Sequence, residues 1–346
     1  MRLGVLTGMT STPGRRVGGP QDFQEDWHSS IEKIRIAEQL GYEMVVVPES
    51  WQLSALPWLS VIALNTSTIH IGTSIVNVFS RSAAALAEEY STLELISGGR
   101  MMLGIGAASS LVAEDMHGIR FERPLRRIRE YTEIFKMLIR GERLHYTGEI
   151  FQLDRGFRIL YDRPREDVPV WIGALTPKSL RQCGEIADGI MPVHWPTSQM
   201  AQLRGYLREG AESAGRDPME VTIAPHTPIF VFDGQNDEQT LWEAKRPLEN
   251  YINRMGNFYH EMMTRTGWAD EVRAVQAAWE NERDRDAAIA GISDRMVREI
   301  QVLGTMPEVK ERLRERAENG ADLQIVYMPK GTPAEAGKAL EEFISA

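Results

Sequence analysis

The side chains that could do chemistry in this chain lie at the ends of short apolar runs. Glu49 follows one such run, and His194 and His226 lie at the ends of two others. Glu49 could hydrogen-bond a ring or a hydroxyl group, and either histidine could donate a proton or orient a substrate. A solvated carboxylate and hydrogen-bonded structural histidines would explain the same residues. These three residues are the catalytic candidates of the sequence.

Glycine-containing strand ends form a second group of candidate residues. The stretch 69–106 is a strand, a helix and a second strand, which ends in Gly104-Ile105-Gly106. Because glycine has no Cβ atom, the backbone there can approach a ligand closely. The same glycines begin like a dinucleotide-binding fingerprint, but the third glycine is missing. A tight turn between strand and helix is the alternative explanation.

A candidate anion site lies at the start of a helix after Gly173-Ala174. Thr176 suits the N-cap position and Pro177 the first helical position. Cations are disfavoured at a helix N-terminus, so Lys178 in the first turn is anomalous unless a phosphate binds there. A surface lysine without a ligand is the alternative.

Composition excludes several classes of protein. The net charge of −10 and the absence of a basic run argue against a nucleic-acid partner. Seven histidines are scattered and Cys183 is the single cysteine, so the sequence predicts no metal site and no disulfide framework. No apolar run is long enough for a membrane span or a signal peptide. We therefore expect a cytoplasmic protein.

The elements that position these residues alternate between strands and helices. Short strands that are apolar on both faces and separated by helices indicate a parallel α/β sheet. Eight such units predict a single domain, 1–346, with a closed (β/α)8 TIM barrel; an open doubly wound sheet is the alternative. A hairpin insert over 144–153 and a helical insertion without strands over 237–303 account for the extra length. The eight strands are expected at 3–7, 44–47, 69–78, 101–105, 168–173, 189–193, 221–232 and 322–327.

In such a barrel the active site lies at the carboxyl ends of the strands. The residues at those ends include few charges and many Gly, Ala, Ser and aromatic side chains, Trp51 among them. That composition suits a planar, mostly apolar ring held by backbone groups.

The order and spacing of several segments resemble the bacterial luciferase-like superfamily. Within it, the chain is similar to the deazaflavin (F420)-dependent branch, which includes methylenetetrahydromethanopterin reductase and F420-dependent glucose-6-phosphate dehydrogenase. The resemblance spans nearly the whole chain. The segments that carry it are 71–76, 85–106, 148–151, 168–174, 184–189 and 303–305.

The resemblance implies a barrel that binds F420 at the carboxyl ends of its strands and passes a hydride through the deazaflavin C5. Ser74-Ile75 matches the family's strand-three bulge, which has a cis peptide bond behind the ring. The implied cofactor-binding residues are Ser74, Ile75, Asn77, Gly106, Ala107, Ala108, Gly173, Ala174, Thr176 and Lys178. The last four would lie near the phosphate. The resemblance also implies a small-molecule substrate and a homodimer.

The chain departs from the sugar-phosphate dehydrogenases of this branch at two positions. It has Glu49-Ser50 where they have an Asp-His pair, and Ser109 where they have a catalytic Glu. A sugar-phosphate substrate is therefore not expected, and Glu49, His194 or His226 would replace the missing acid and base. An FMN-dependent monooxygenase of the same superfamily and a flavin- or deazaflavin-binding protein without catalysis are the alternatives.

Overall fold

The computed structural model describes residues 1–8, 20–50 and 53–346; Trp51 therefore lies outside the described residues. Within these ranges the strands are β1 Leu3–Leu6, β2 Met44–Val47, β3 His70–Thr73, β4 Val76–Asn77, β5 Met101–Gly106, β6 Tyr146–Thr147, β7 Gln152–Leu153, β8 Val170–Ile172, β9 Gly189–Ile190, β10 Thr222–Ile223, β11 His226–Thr227, β12 Ile229–Val231, β13 Val302–Gly304 and β14 Gln324–Tyr327.

Helices follow most of the strands, as the alternating pattern predicts. They are α1 Pro20–Gln39, α2 Ala55–Asn65, α3 Ala83–Ser97, α4 Pro124–Ile139, α5 Pro177–Ile186, α6 Met200–Ser213, α7 Asp237–Arg254, α8 Asn257–Met263, α9 Ala269–Glu282, α10 Arg285–Ala290, α11 Asp294–Ile300, α12 Met306–Glu318 and α13 Pro333–Ile344. No helix in the described ranges is long and apolar enough to cross a membrane.

A parallel sheet forms the centre of the fold, in the order β10-β9-β8-β5-β3-β2-β1-β14-β11. Its two end strands, β10 and β11, are separated only by Ala224 and Pro225, so they are two parts of one bent strand. The N–H of Asp322 donates to Ile223 O (2.9 Å) and that of His226 to Pro192 O (3.0 Å), which joins this strand to both neighbours. The sheet therefore closes, and the predicted barrel is confirmed.

The two predicted insertions differ in outcome. The hairpin is present as the antiparallel pair β6–β7. The insertion at 237–303 contains helices α7 to α11, but the expectation that it has no strand is wrong, because β13 pairs with β12 in parallel. The run Val302-Leu303-Gly304 is too short to indicate a strand by itself. Its partner β12, distant in sequence, stabilises it.

Buried side chains form two clusters. The smaller comes from the strands and the residues directly next to them: Met44, Val46, Met102, Trp171, Met191, Ala224, Leu323 and Ile325, with Leu6 and Ile75 at its edge. Alternate residues of the same strands belong to the larger cluster, which includes the helices. Because side chains alternate along a strand, the smaller cluster fills the barrel interior. The interior is thus closed by side chains, and a ligand can bind only at its mouth.

Candidate active site

The bulge between β3 and β4 lies at the centre of the barrel mouth. The peptide bond between Ser74 and Ile75 is cis, as the family resemblance implies. Ile75 is partly exposed and packs against two glycines: a Cβ atom on Gly106 would lie 3.0 Å from Ile75 Cδ1, and one on Gly173 would lie 3.6 Å from Ile75 Cγ2. Ile75, Gly106 and Gly173, which we call the platform, form an apolar surface on which neither glycine projects a side chain.

Polar groups beside the platform include an unpaired donor. Asn77 is buried, and its Oδ1 accepts a hydrogen bond from the Phe79 N–H (2.8 Å). Its Nδ2 has no hydrogen-bond partner within the described part of the chain. Burying an amide donor without a partner is costly, so a ligand acceptor is expected beside it. Ala107 and Ala108 follow β5 and are partly exposed.

A chain of three side chains runs from Ser74 in the bulge to the opposite side of the mouth. Ser74 Oγ lies 2.8 Å from His226 Nε2, and His226 Nδ1 lies 3.4 Å from Tyr327 Oη. Burial lowers the pKa of His226 to about 4, so the ring is neutral at pH 7. Sequence reasoning missed Tyr327. The available signal was alternation, because Ile325 and Tyr327 share one face of β14, and Ile325 belongs to the cluster in the barrel interior.

His194 lies beside a residue of the helical insertion. It follows β9 with a positive φ of 57° and is buried, with its ring edge-on to Tyr251 of α7 at 4.4 Å between centroids. Tyr251 contacts Tyr259 of α8 in the same manner, at 4.5 Å. Burial, with smaller effects of His226 and Arg316, lowers the pKa of His194 to about 3. Neither ring nitrogen has a partner among the described residues. The insertion therefore reaches the barrel mouth, where sequence analysis did not identify either tyrosine.

Glu49 has a different environment. It forms an ion pair with Arg81, whose Nη2 lies 3.0 Å from Glu49 Oε2, and it accepts the Ala55 N–H (2.9 Å) at the start of α2. Burial alone would raise its pKa, but Arg81, the Ala55 N–H and the Ser54 hydroxyl together hold the pKa of Glu49 below its usual value. A carboxylate in these contacts is a poor proton donor at neutral pH. No hydrogen bond among the described residues joins it to His194 or His226.

The start of α5 offers fewer free donors than the sequence suggests. The Ser179 N–H donates to Thr176 Oγ1 (3.1 Å) and the Thr176 N–H donates to Ser179 Oγ (3.0 Å), while Pro177 has no N–H. This capping box leaves the Lys178 N–H and its exposed ammonium group. Arg265 from the insertion donates to Leu175 O (3.0 Å) and brings a second cation to the same loop.

These features can now be compared with known proteins. The chain belongs to the luciferase-like monooxygenase family, whose model matches residues 1–323. The predicted family and barrel are therefore confirmed.

Several of the similar proteins within this family are named as F420-dependent enzymes. A Mycobacterium tuberculosis protein named as a coenzyme F420-dependent oxidoreductase is 27% identical over 313 residues, covering 85% of this chain and 89% of its own. The 5,10-methylenetetrahydromethanopterin reductase of Archaeoglobus fulgidus is 27% identical over 303 residues, covering 86% and 89%. The structure of the F420-dependent tetrahydromethanopterin reductase from Methanopyrus kandleri matches with a TM-score of 0.78 at 21% identity, covering 99% of this chain and 97% of that one. The prediction of an oxidoreductase is thus confirmed at the level of the family.

Proposed function

We propose that the protein is an F420-dependent oxidoreductase that transfers a hydride between the deazaflavin C5 and a small organic substrate. The observation that carries this proposal is the platform of Ile75, Gly106 and Gly173 with the unpaired Asn77 donor beside it. A flat ring with carbonyl groups at its edge satisfies both features. The sequence relatives named as F420-dependent support the deazaflavin over other flat rings.

Different residues at the strand ends would bind the ring and the phosphate of the cofactor. The platform would back the ring, Ser74 would border it, and Asn77 Nδ2 would donate to a ring carbonyl. Ala107 and Ala108, which have small side chains, would lie along the edge of the ring. We assign the phosphate to the start of α5, at Gly173, Ala174, Thr176 and Lys178, with Arg265 as an additional cation.

F420, when bound, supplies or accepts the hydride at C5, and the protein supplies orientation. Proton chemistry falls to the opposite side of the mouth. His226 and His194 are neutral at pH 7; His226 Nδ1 lies 3.4 Å from the Tyr327 hydroxyl, and the His194 ring contacts the ring of Tyr251. Because of its ion pair with Arg81, we give Glu49 a structural role in place of the acid-base role expected from the sequence.

Titration of the purified protein with F420 and with FMN tests this proposal, since each cofactor can be followed by absorbance and fluorescence. We expect micromolar or tighter binding of F420. Tight binding of FMN alone would favour the monooxygenase alternative, because an isoalloxazine ring fits the same platform. Cofactor binding without turnover on any substrate of a panel would favour a binding protein without catalysis.

A matched pair of variants makes the titration specific to the site. Asn77→Asp keeps the oxygen that accepts the Phe79 N–H but removes the donor, and we expect it to weaken cofactor binding by about tenfold. Asn65→Asp is the control, because Asn65 lies on α2 and contacts Arg35 and Val61. Equal affinities for the two variants would remove Asn77 from the site.

We also infer a cytoplasmic homodimer. The single cysteine, Cys183, is buried, which suits a reducing compartment. Several large apolar side chains are exposed on α2, on α3 and in the loop after β7, as an interface requires: Leu64, Leu95, Phe157 and Leu160. Light scattering across a range of concentrations tests the dimer, and a monomeric mass at every concentration would contradict it.

A further inference from the structure

Tyr327 presents a phenol to the barrel mouth. It is the last residue of β14, two residues beyond Ile325, which belongs to the interior cluster. Its hydroxyl group lies 3.4 Å from His226 Nδ1, beyond the usual length of a hydrogen bond. By contrast, His226 Nε2 is held at 2.8 Å by Ser74. The imidazole is thus fixed from the Ser74 side, whereas the phenol can turn towards a ligand.

The neutral state of His226 restricts how protons are arranged along these three residues. A neutral imidazole has one N–H donor and one acceptor nitrogen. If Ser74 donates to Nε2, the Nδ1–H points at Tyr327 Oη and the phenol proton is directed away from His226. The reverse arrangement would leave the Ser74 proton free instead. The long contact at Tyr327 favours the first arrangement.

The surroundings keep the phenol protonated. Burial, with Tyr251 and Tyr259 nearby, raises the pKa of Tyr327 well above its usual value. Tyr251 and Tyr259 come from the insertion, so aromatic residues of the insertion lie near Tyr327. A ligand with an apolar body and one polar acceptor atom matches this environment.

We propose that the Tyr327 hydroxyl binds the reacting oxygen of the substrate, a small carbonyl compound in the direction of reduction, and that His226 and Ser74 position it. This inference rests on the proposed function. The carbonyl carbon takes the hydride, the π electrons of the C=O bond move to oxygen, and that oxygen takes the phenol proton. The phenolate regains a proton from water at the mouth, since Tyr327 is partly exposed. Tyr327 is then a catalytic residue, and His226 is a positioning residue.

The test compares Tyr327→Phe with Tyr42→Phe, which removes a buried hydroxyl bonded to Leu340 O, on the outside of the barrel. Benzaldehyde and acetophenone are the probes. Tyr327→Phe should bind F420 within twofold of the wild type but reduce the probes on the order of 10²-fold more slowly. A second readout needs no turnover: the infrared C=O band of 13C-labelled acetophenone, bound with oxidised F420, should lie at lower frequency in the wild type and in Tyr42→Phe only.

Variants of His226 separate positioning from simple structural support. His226→Asn places an N–H near the position of Nδ1, whereas His226→Leu places none there. We expect His226→Asn to turn over the probes at least tenfold faster than His226→Leu. It should also retain part of the infrared shift, which His226→Leu should lose. Equal losses in the two variants would contradict the positioning role.

Each remaining outcome decides between the proposals. Wild-type turnover and an unchanged C=O band in Tyr327→Phe would overturn the inference but leave the proposed function intact. A wild-type protein that binds F420 but does not shift the C=O band of acetophenone would also overturn the inference alone. A wild-type protein that binds neither F420 nor FMN would overturn both.

Discussion

The two sides of the barrel mouth are built in different ways. The platform side consists of backbone and small residues at the ends of β4, β5 and β8, where Ile75 packs on Gly106 and Gly173. The opposite side consists of large polar side chains from β9, β11 and β14 and from the insertion. The first side depends on how closely neighbouring strands approach, and the second on side chains that meet only in the folded protein. We expect substitutions that add atoms on the platform side to destabilise the protein. On the opposite side, we expect stability to depend mainly on the protonation of the histidines.

The largest effect that we expect is on the platform side, at Gly104. A Cβ atom there would lie 1.9 Å from Thr73 O and 2.6 Å from Met191 Cε. The first clash is with backbone, which cannot move aside without breaking the sheet. Gly104→Ala should lower the free energy of unfolding by more than about 3 kcal/mol, measured by urea denaturation. The control is Gly205→Ala, because Gly205 in α6 has open space around it, and it should be neutral or stabilising by up to about 1 kcal/mol. Similar unfolding curves for the two variants would refute the tight strand approach.

The difference between the two sides of the mouth also explains which residues could be predicted from the sequence. Strand β2 has the bounds that its apolar run predicts, Met44–Val47, and the family resemblance named the platform residues, which lie in or beside predicted strands. Tyr327 was missed as a site residue because an aromatic residue in an apolar strand is typical of the core. Tyr251 was missed because the sequence of α7 does not indicate which of its side chains faces the barrel mouth. Contacts between elements distant in sequence decide both positions.

The next largest effect is a pH dependence of stability that comes from the histidines on the opposite side of the mouth. His194 and His226 have pKa values of about 3 and 4 in the folded protein, against an ordinary value of 6.5. The unfolded chain therefore binds more protons between pH 6.5 and 4, so stability is full above pH 6.5 and falls as the pH decreases. We expect a loss of about 1 kcal/mol per histidine between pH 6.5 and 5.5, measured by urea denaturation. The double variant His194→Gln/His226→Gln should show a flatter profile. If the double variant loses as much stability as the wild type between pH 6.5 and 5.5, the two histidines do not cause the pH dependence.

A smaller effect is expected at Glu49, which joins the loop after β2 to Arg81. The sequence made Glu49 a catalytic candidate, whereas its contacts indicate that it holds the mouth together. Glu49→Gln, Arg81→Gln and the double variant should give a coupling free energy of unfolding of about 1 kcal/mol. The pH profile of turnover should be the same in Glu49→Gln as in the wild type. Loss of one limb of that profile would restore Glu49 as an acid or base.

The smallest effect should come from Lys178, because its side chain is exposed and exposed ion pairs contribute little. With two amide groups of the α5 start already used by the capping box, a phosphate there would depend on the Lys178 and Arg265 cations. Lys178→Ala should weaken F420 binding by only about two- to fivefold at low salt, and the difference should disappear at high salt. Lys338→Ala, which removes the same charge from the exposed face of α13, should leave binding unchanged. If both lysine variants bind F420 as the wild type does at low salt, the start of α5 is not the phosphate site and Lys178 is a surface lysine. The platform and the Asn77 donor would then be the only part of the cofactor site that the described residues support.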